Sequence, residues 1–289
     1  VNLKSECLSC LLNQSLRVAK NLNLNEEQSQ SLMRLASSSI ATYNKVSPPV
    51  AASDLYPKLS DYIGKEDIYE ELKQISTIEA IKLLPSVERS LDKAEDRLKG
   101  AIKASVAGNV IDFATPNHFD LQEEFSKVFT TPFAIDDEAD FIKRVSTANS
   151  LMIIGDNVGE HVFDKLLLKE IKENYPNLET YYAVRGRPII NDVTLKEAKE
   201  IEMELVTNLV DSGVDTPGLE YDRASKSFMK LYNSMDLIIA KGMGNYECLE
   251  GVSDMRIYHL FKVKCEVVAS SVGAELGSLI FKRGKIKLI

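Results

Sequence analysis

The sequence predicts an α/β protein in which a helical N-terminal segment, residues 1–105, precedes a mostly parallel sheet with helical crossovers, residues 106–289. Three observations predict it. From Val1 to about Gly100, apolar residues recur at three and four positions, as in Cys7, Leu8, Leu11, Leu12, Leu16 and Val18, and strand signals are essentially absent. From Ala107 onward, short β-rich runs alternate with amphipathic segments, the pattern of parallel strands joined by helices. Three of those runs stop at small polar clusters, at Asp156-Asn157, at Asn191-Asp192 and at Lys241 to Asn245, and each is followed by a helical stretch.

Turn chemistry divides the helical part. Asn21 to Asn25 ends the first helix, Ser47-Pro48-Pro49 ends the second, Ile63-Gly64-Lys65 ends the next, and Leu84-Pro85-Ser86 opens a polar helix that runs through Lys99. Ala107 to Phe113 begins the β-rich part. Asp120 to Val145 reads as helix with a turn at Pro132, linking that first strand to the sheet. Further strands are expected at Ser150 to Gly155, Thr180 to Arg185, Met235 to Ala240 and Met255 to Lys262. Asp211 to Asp215 reads as a short strand and its loop, between helices at Leu195 to Leu209 and Arg223 to Asn233.

Composition narrows the function. A chain of 289 residues with a net charge of −8 and no dense Lys/Arg block suits a phosphodiester backbone poorly, so nucleic acid is not an expected partner. No apolar run approaches the ~20 residues needed to cross a bilayer, and the first residues lack a secretory pattern. No membrane association and a cytoplasmic location are expected. Cys7 and Cys10 form the one closely spaced thiol pair and could supply half of a zinc site. The other half is missing, because Cys248 and Cys265 stand alone and His118, His161 and His259 are scattered. Two small core residues on one face of the first helix is the simpler reading.

In a parallel sheet the carboxyl ends of the strands face one crevice, so residues far apart in sequence meet there. Asp156 with Asn157 offers an anionic and a neutral oxygen, hard ligands for a divalent ion, yet both types also cap helices after strands. A second such pair at Asn191-Asp192 favours a metal site, because clustered carboxylates repel one another until a cation joins them. The loop from Lys241 to Asn245 offers an ammonium, a glycine turn and backbone amides to an anion. Glu160 could orient water or substrate, or simply favour the dipole of the helix it opens. His161, Ser270 and Ser271 read as helix residues, and no Ser-His-Asp set or His-Glu-x-x-His is visible.

Taken together and in this order, the motifs resemble the damage-control phosphatase family, which includes the acidic-residue methyltransferase-like proteins, and within it the microbial branch. They are the Cys7/Cys10 pair, Asp67 to Lys73, Gly108 to Phe113, Gly155 to Glu160, Pro188 to Asp192, Lys241 to Asn245, and Lys262 to Cys265. Ile68 stands where the family pattern has proline. The resemblance implies a helical subdomain packed on a Rossmann-like three-layer α/β core. It further implies Asp156, Asn157 and Asp192 as ligands of a divalent ion (Mn, Ni, Co or Mg), Lys241 and Asn245 on phosphate, Lys264 as a second phosphate-side cation, and Glu160 near substrate. The implied activity is hydrolysis of a small phosphorylated metabolite, such as a sugar phosphate, a nucleotide or a damaged cofactor intermediate, with Asp156 and Asp192 as the catalytic carboxylates. Methyl transfer from S-adenosylmethionine to a carboxylate, or metabolite binding without turnover, are the alternatives.

Overall fold

The structure, a computed structural model, describes residues 1–108 and 127–285. His118, the expected strand beyond Gly108 and the start of the expected helical unit at Asp120 lie outside the described residues. The chain opens with α1 (Ser5–Asn21), α2 (Glu26–Ile40), α3 (Pro48–Ile63), α4 (Glu70–Leu91) and α5 (Arg97–Ala107). Local chemistry sets their starts: Asn25 and Gln28 cap α2 reciprocally, and Ser47 caps α3 through the Val50 N–H.

Two expectations about these helices are corrected. Ser47-Pro48-Pro49 opens α3 rather than ending α2, because proline fits a first helical turn, where its missing N–H has no intrahelical partner to lose. Pro85 lies inside α4 rather than at its start. Buried Leu83, Val87 and Leu91 carry that helix through the proline, and the break falls instead at Asp96, whose side chain caps α5.

The sheet contains β1 (Phe133–Asp136), β2 (Ser150–Ile154), β3 (Glu179–Val184), β4 (Asn208–Asp211), β5 (Leu237–Lys241), β6 (Ile257–Lys262) and β7 (Leu279–Arg283). Their order is β1-β7-β6-β5-β2-β3-β4, and every neighbouring pair is parallel except β6 with β7. Between them lie α6 (Glu138–Val145), α7 (Glu160–Asn174), α8 (Leu195–Glu200), α9 (Lys226–Ser234), α10 (Gly242–Leu249) and α11 (Glu266–Val272). Strand β1, at one edge of the sheet, and β7 beside it escape the sequence reading, being short and partly polar. The helix expected through Leu209 stops at Glu200, since Glu202 turns into the left-handed region at φ 54 and the chain then enters β4 at Asn208.

Central strand β2 is buried along its whole length, which accounts for its unbroken apolar sequence. Leu151 and Ile153 pack with Ala101 of α5 and Phe163 and Leu167 of α7 on one face. Met152 and Ile154 pack with Phe228 and Tyr232 of α9 and Leu249 of α10 on the other. Each such side chain contributes about 1.5–3 kcal/mol on leaving water. Helices α1 to α3 bury a core of their own, with Leu11, Leu32, Leu55 and Leu59, and Ile189 from the loop after β3 enters it. A second tie is Lys73 of α4, buried between Asp67 (2.8 Å) and Glu197 of α8 (3.4 Å). The helical layer is thus keyed to the loop that carries Asp192. Among the described residues, no helix is long and apolar enough to cross a membrane.

From β2 the chain proceeds to β3 and β4 on one side, whereas β5 and β6 lie on the other. The order therefore reverses between β2 and β5, and a crevice opens at their carboxyl ends.

Candidate metal and phosphate site

Asp156 and Asn157 follow β2, and Asn191 and Asp192 follow β3 after a loop. Backbone stitches these two segments together: Asn157 and Asp192 pair as an antiparallel bridge. Val158 N–H donates to the Asn191 carbonyl at 2.8 Å and Val193 N–H to the Asp156 carbonyl at 2.9 Å. The turn into Asn191 is made by Ile190 at φ 48, a left-handed conformation unfavourable for a β-branched side chain. Strain is thus held next to Asn191 and Asp192.

The side chains do not cap their own helices. The N-cap of α7 is Gly159 with no side-chain cap, and α8 is capped by Thr194 with Glu197. Asn157 instead donates its Nδ2 to Asp156 Oδ2 and to Glu160 Oε1, each at 2.8 Å. Two carboxylates fix which end of the amide faces them, and this leaves Oδ1 without a partner among the described residues. Arg185 Nε donates to Asp192 Oδ2 at 2.7 Å, and Asp192 Oδ1 likewise has no hydrogen-bond partner among the described residues.

Electrostatics favour a cation here. Burial, then the nearby charges of Glu160 and Asp192, push the Asp156 carboxyl well above its ordinary range. Burial also pushes Asp192 up to about 6, although the Arg185 guanidinium opposes this. Two carboxylates that resist ionisation side by side, with the carbonyl oxygen of an amide beside them, fit a divalent ion that prefers oxygen ligands. Among the described residues no group of three His, Cys, Asp or Glu side chains is arranged to hold an ion, so the fit depends on the amide oxygen.

A cavity of about 500 Å³ opens above these groups, and its wall includes Asp156, Asn157, Asn191, Asp192, Met243 and Lys264. Lys264 is exposed and lies close enough to Asp156 to favour its ionised form. Three other expected site residues are not part of that wall. Lys241, fully buried, donates from Nζ to Asp164 Oδ1 at 2.7 Å and to the Ser105 carbonyl at 2.9 Å, with Glu160 Oε2 at 3.6 Å. Burial works against its charge, but Asp164 and Glu160 more than offset this and raise its pKa. Asn245, also buried, donates to the carbonyls of Gly155 (3.1 Å) and Lys241 (2.6 Å). Its Oδ1 accepts from Leu219 N–H at 2.9 Å and Arg185 Nη2 at 3.4 Å. Glu160, 2% exposed, sits between Asn157 and Lys241. These three brace the site from behind.

Gly242 sets how close α10 comes. A Cβ there would lie 1.8 Å from Asp156 Oδ2, and its φ of 75 already disfavours any other residue. Neutral His161 pins the start of α7. Burial holds its pKa down at about 4, Nδ1 accepts from Gly159 N–H at 3.0 Å, and Nε2 faces the Glu197 carbonyl at 3.3 Å. Sequence reasoning missed Arg185, which orients Asp192. The available signal was an arginine ending an otherwise buried strand, where an unpaired charge is untenable. Cys7 and Cys10, expected in the core, instead line the cavity, Cys7 half-buried and Cys10 exposed. Their positions on the first turns of α1 face the loop of Asp192 rather than the core of that layer.

The pattern of the damage-control phosphatase ARMT1-like domain matches residues 3–280. The chain is 35% identical to Damage-control phosphatase PH1575 of Pyrococcus horikoshii, with 98% of each chain covered. It is 32% identical to a damage-control phosphatase of Archaeoglobus fulgidus, covering 96% of this chain and 97% of that one. It is also similar to the crystal structure of a DUF89 family protein from Pyrococcus horikoshii, with a TM-score of 0.91 at 34% identity, covering 99% of this chain and 100% of that one.

Proposed function

Because the chain belongs to the ARMT1-like damage-control phosphatase family, we propose that it is a metal-dependent phosphatase of small phosphorylated metabolites, with Asp156, Asn157 and Asp192 holding a divalent ion such as Mn, Ni, Co or Mg. One observation carries this reading: the backbone bridge between Asn157 and Asp192, which holds a neutral and an anionic oxygen donor together on the wall of one cavity. When bound, the ion would supply positive charge to phosphoryl oxygens and acidify a water molecule.

The protein's own groups do the rest. Lys264 neutralises the phosphate from the exposed side of the cavity, where charge builds during transfer. Glu160 fixes the Asn157 amide so that Oδ1 faces outward, and Lys241 with Asp164 fixes Glu160. Arg185 clamps Asp192 Oδ2, so Oδ1 is the atom available to hold a ligand or to take a proton from the attacking water. Lys241 and Asn245 act in this reading as supports, and phosphate is met by Lys264. The four cysteines are free, in keeping with a cytoplasmic location.

The test is hydrolysis of p-nitrophenyl phosphate by chelator-treated protein, before and after adding Mn, Ni, Co or Mg. Metal-stimulated turnover that Asp156→Ala abolishes is the expected result. Turnover indifferent to chelation, or unchanged in Asp156→Ala, would remove the proposal.

A further inference from the structure

The Cys7/Cys10 pair has no part in the phosphatase reading, yet both thiols lie on the wall of the same cavity as Asp156, Asp192 and Lys264. They occupy the first turns of α1, three positions apart and so on one helix face. Their exposures differ: Cys10 is open to solvent, while Cys7 is half-buried. Cys10 Sγ accepts from Gln14 Nε2 at 3.3 Å, and Gln14 Oε1 accepts from the Tyr56 hydroxyl at 3.1 Å. Tyr56 in turn meets the Tyr69 hydroxyl at 3.4 Å, so the exposed sulfur is coupled to the start of α4.

We propose that Cys7 and Cys10 form a thiol–disulfide exchange site at the mouth of the cavity, reacting with low-molecular-weight disulfides. Cys10, the accessible thiol, attacks one sulfur of the small disulfide, forming a mixed disulfide and releasing one small thiolate. Cys7 then attacks Cys10 Sγ, which closes the Cys7–Cys10 bond and releases the second thiolate. Two electrons pass from the protein to the small disulfide, and the two thiol protons end on the two small thiols. Burial raises the Cys7 thiol above its ordinary range, in keeping with its second place in the sequence of attacks.

Helix neighbours three apart hold their Cβ atoms about 5–6 Å apart, and a disulfide needs roughly 4 Å, so closing the bond draws in the first turn of α1. That turn is part of the cavity wall, and its movement also withdraws the acceptor of Gln14. Oxidation therefore reshapes the wall that Cys7 and Cys10 share with Asp156 and Asp192.

The experiment incubates the full chain with hydroxyethyl disulfide and follows intact mass, followed by peptide mapping. Wild-type protein is expected to lose two hydrogens without accumulating an adduct, and mapping is expected to join Cys7 to Cys10. Cys7→Ser should instead accumulate one adduct at Cys10, and Cys10→Ser should react several-fold more slowly. A persistent adduct on the wild-type chain, a bond to Cys265 or Cys248, or unreacted thiols would overturn the proposal. Bond formation is read by mass and owes nothing to turnover, so its failure and failure of the phosphatase reading are separate results.

Discussion

Arg185 and Asp192, seven residues apart in sequence, form a buried ion pair in which Nε donates to Oδ2 at 2.7 Å. The same guanidinium reaches Asn245, which ties down α10, so one side chain sets the position of a loop and a helix together. Arg185→Met should leave Asp192 without its donor and raise its resistance to ionisation further. Losing the partner that orients a metal-binding carboxylate typically weakens metal binding by about 10–100-fold. Titration calorimetry with Mn at neutral pH is the measurement. Unchanged affinity would show that Asp192 does not bind metal through the orientation Arg185 gives it.

Asp156 separates a metal ligand from a structural carboxylate. Its charge is opposed by burial, by Glu160 and by Asp192. Asp156→Asn removes that repulsion, so the metal-free protein should gain about 1–2 kcal/mol and melt a few degrees higher, while phosphatase turnover falls by at least about 100-fold. A stability loss in the metal-free protein would mean that the carboxylate is held for structural reasons.

Much of this site was legible because it depends on where strands end. Asp156, Asn157 and Asp192 follow strands whose apolar runs are unambiguous, and topology alone brings them to one crevice. Lys241 and Asn245 were equally visible as residues. Their direction was not, because whether an ammonium faces a ligand or a buried carboxylate depends on Asp164 and Ser105, on helices remote in sequence. Short β1 and β7 were illegible for a related reason: their stability comes from pairing with β7 and β6, not from a local pattern. The position of Cys10 depended likewise on α1 packing against the loop after β3.

Gly242→Ala tests the close approach of α10 to Asp156. The added methyl would meet both Asp156 carboxylate oxygens, at 1.8 and 2.7 Å, on a backbone at φ 75. Something must shift, and the rigid neighbour is the carboxylate. A stability loss of about 1–3 kcal/mol is expected, together with a loss of metal-stimulated turnover that excess metal restores only in part. Denaturant melts and a metal titration of activity check both effects, and wild-type behaviour in each would mean that α10 yields without moving Asp156.

Acid stability should be limited by buried histidine. Burial, with a smaller contribution from Lys282, holds His259 down at about 3, and its Nδ1 has no hydrogen-bond partner among the described residues. Between the ordinary value of 6.5 and that lower one, the unfolded chain takes up a proton that the folded chain refuses. Stability therefore falls as pH drops through this window, by about 2 kcal/mol at pH 5 from this group alone. Asp192, raised to about 6, and Glu247, raised by burial to about 7, act in the opposite direction, because their protonation favours the folded form. A wild-type profile would mix these effects, whereas its difference from His259→Phe isolates the histidine. Phenylalanine can keep the edge contact with Tyr246, now at 5.2 Å between ring centroids, and has nothing to titrate. Its unfolding free energy should fall less steeply than wild type between neutral pH and pH 5 in urea melts. Parallel curves would place the acid sensitivity elsewhere, with His161 next to be tested, since burial holds it at about 4.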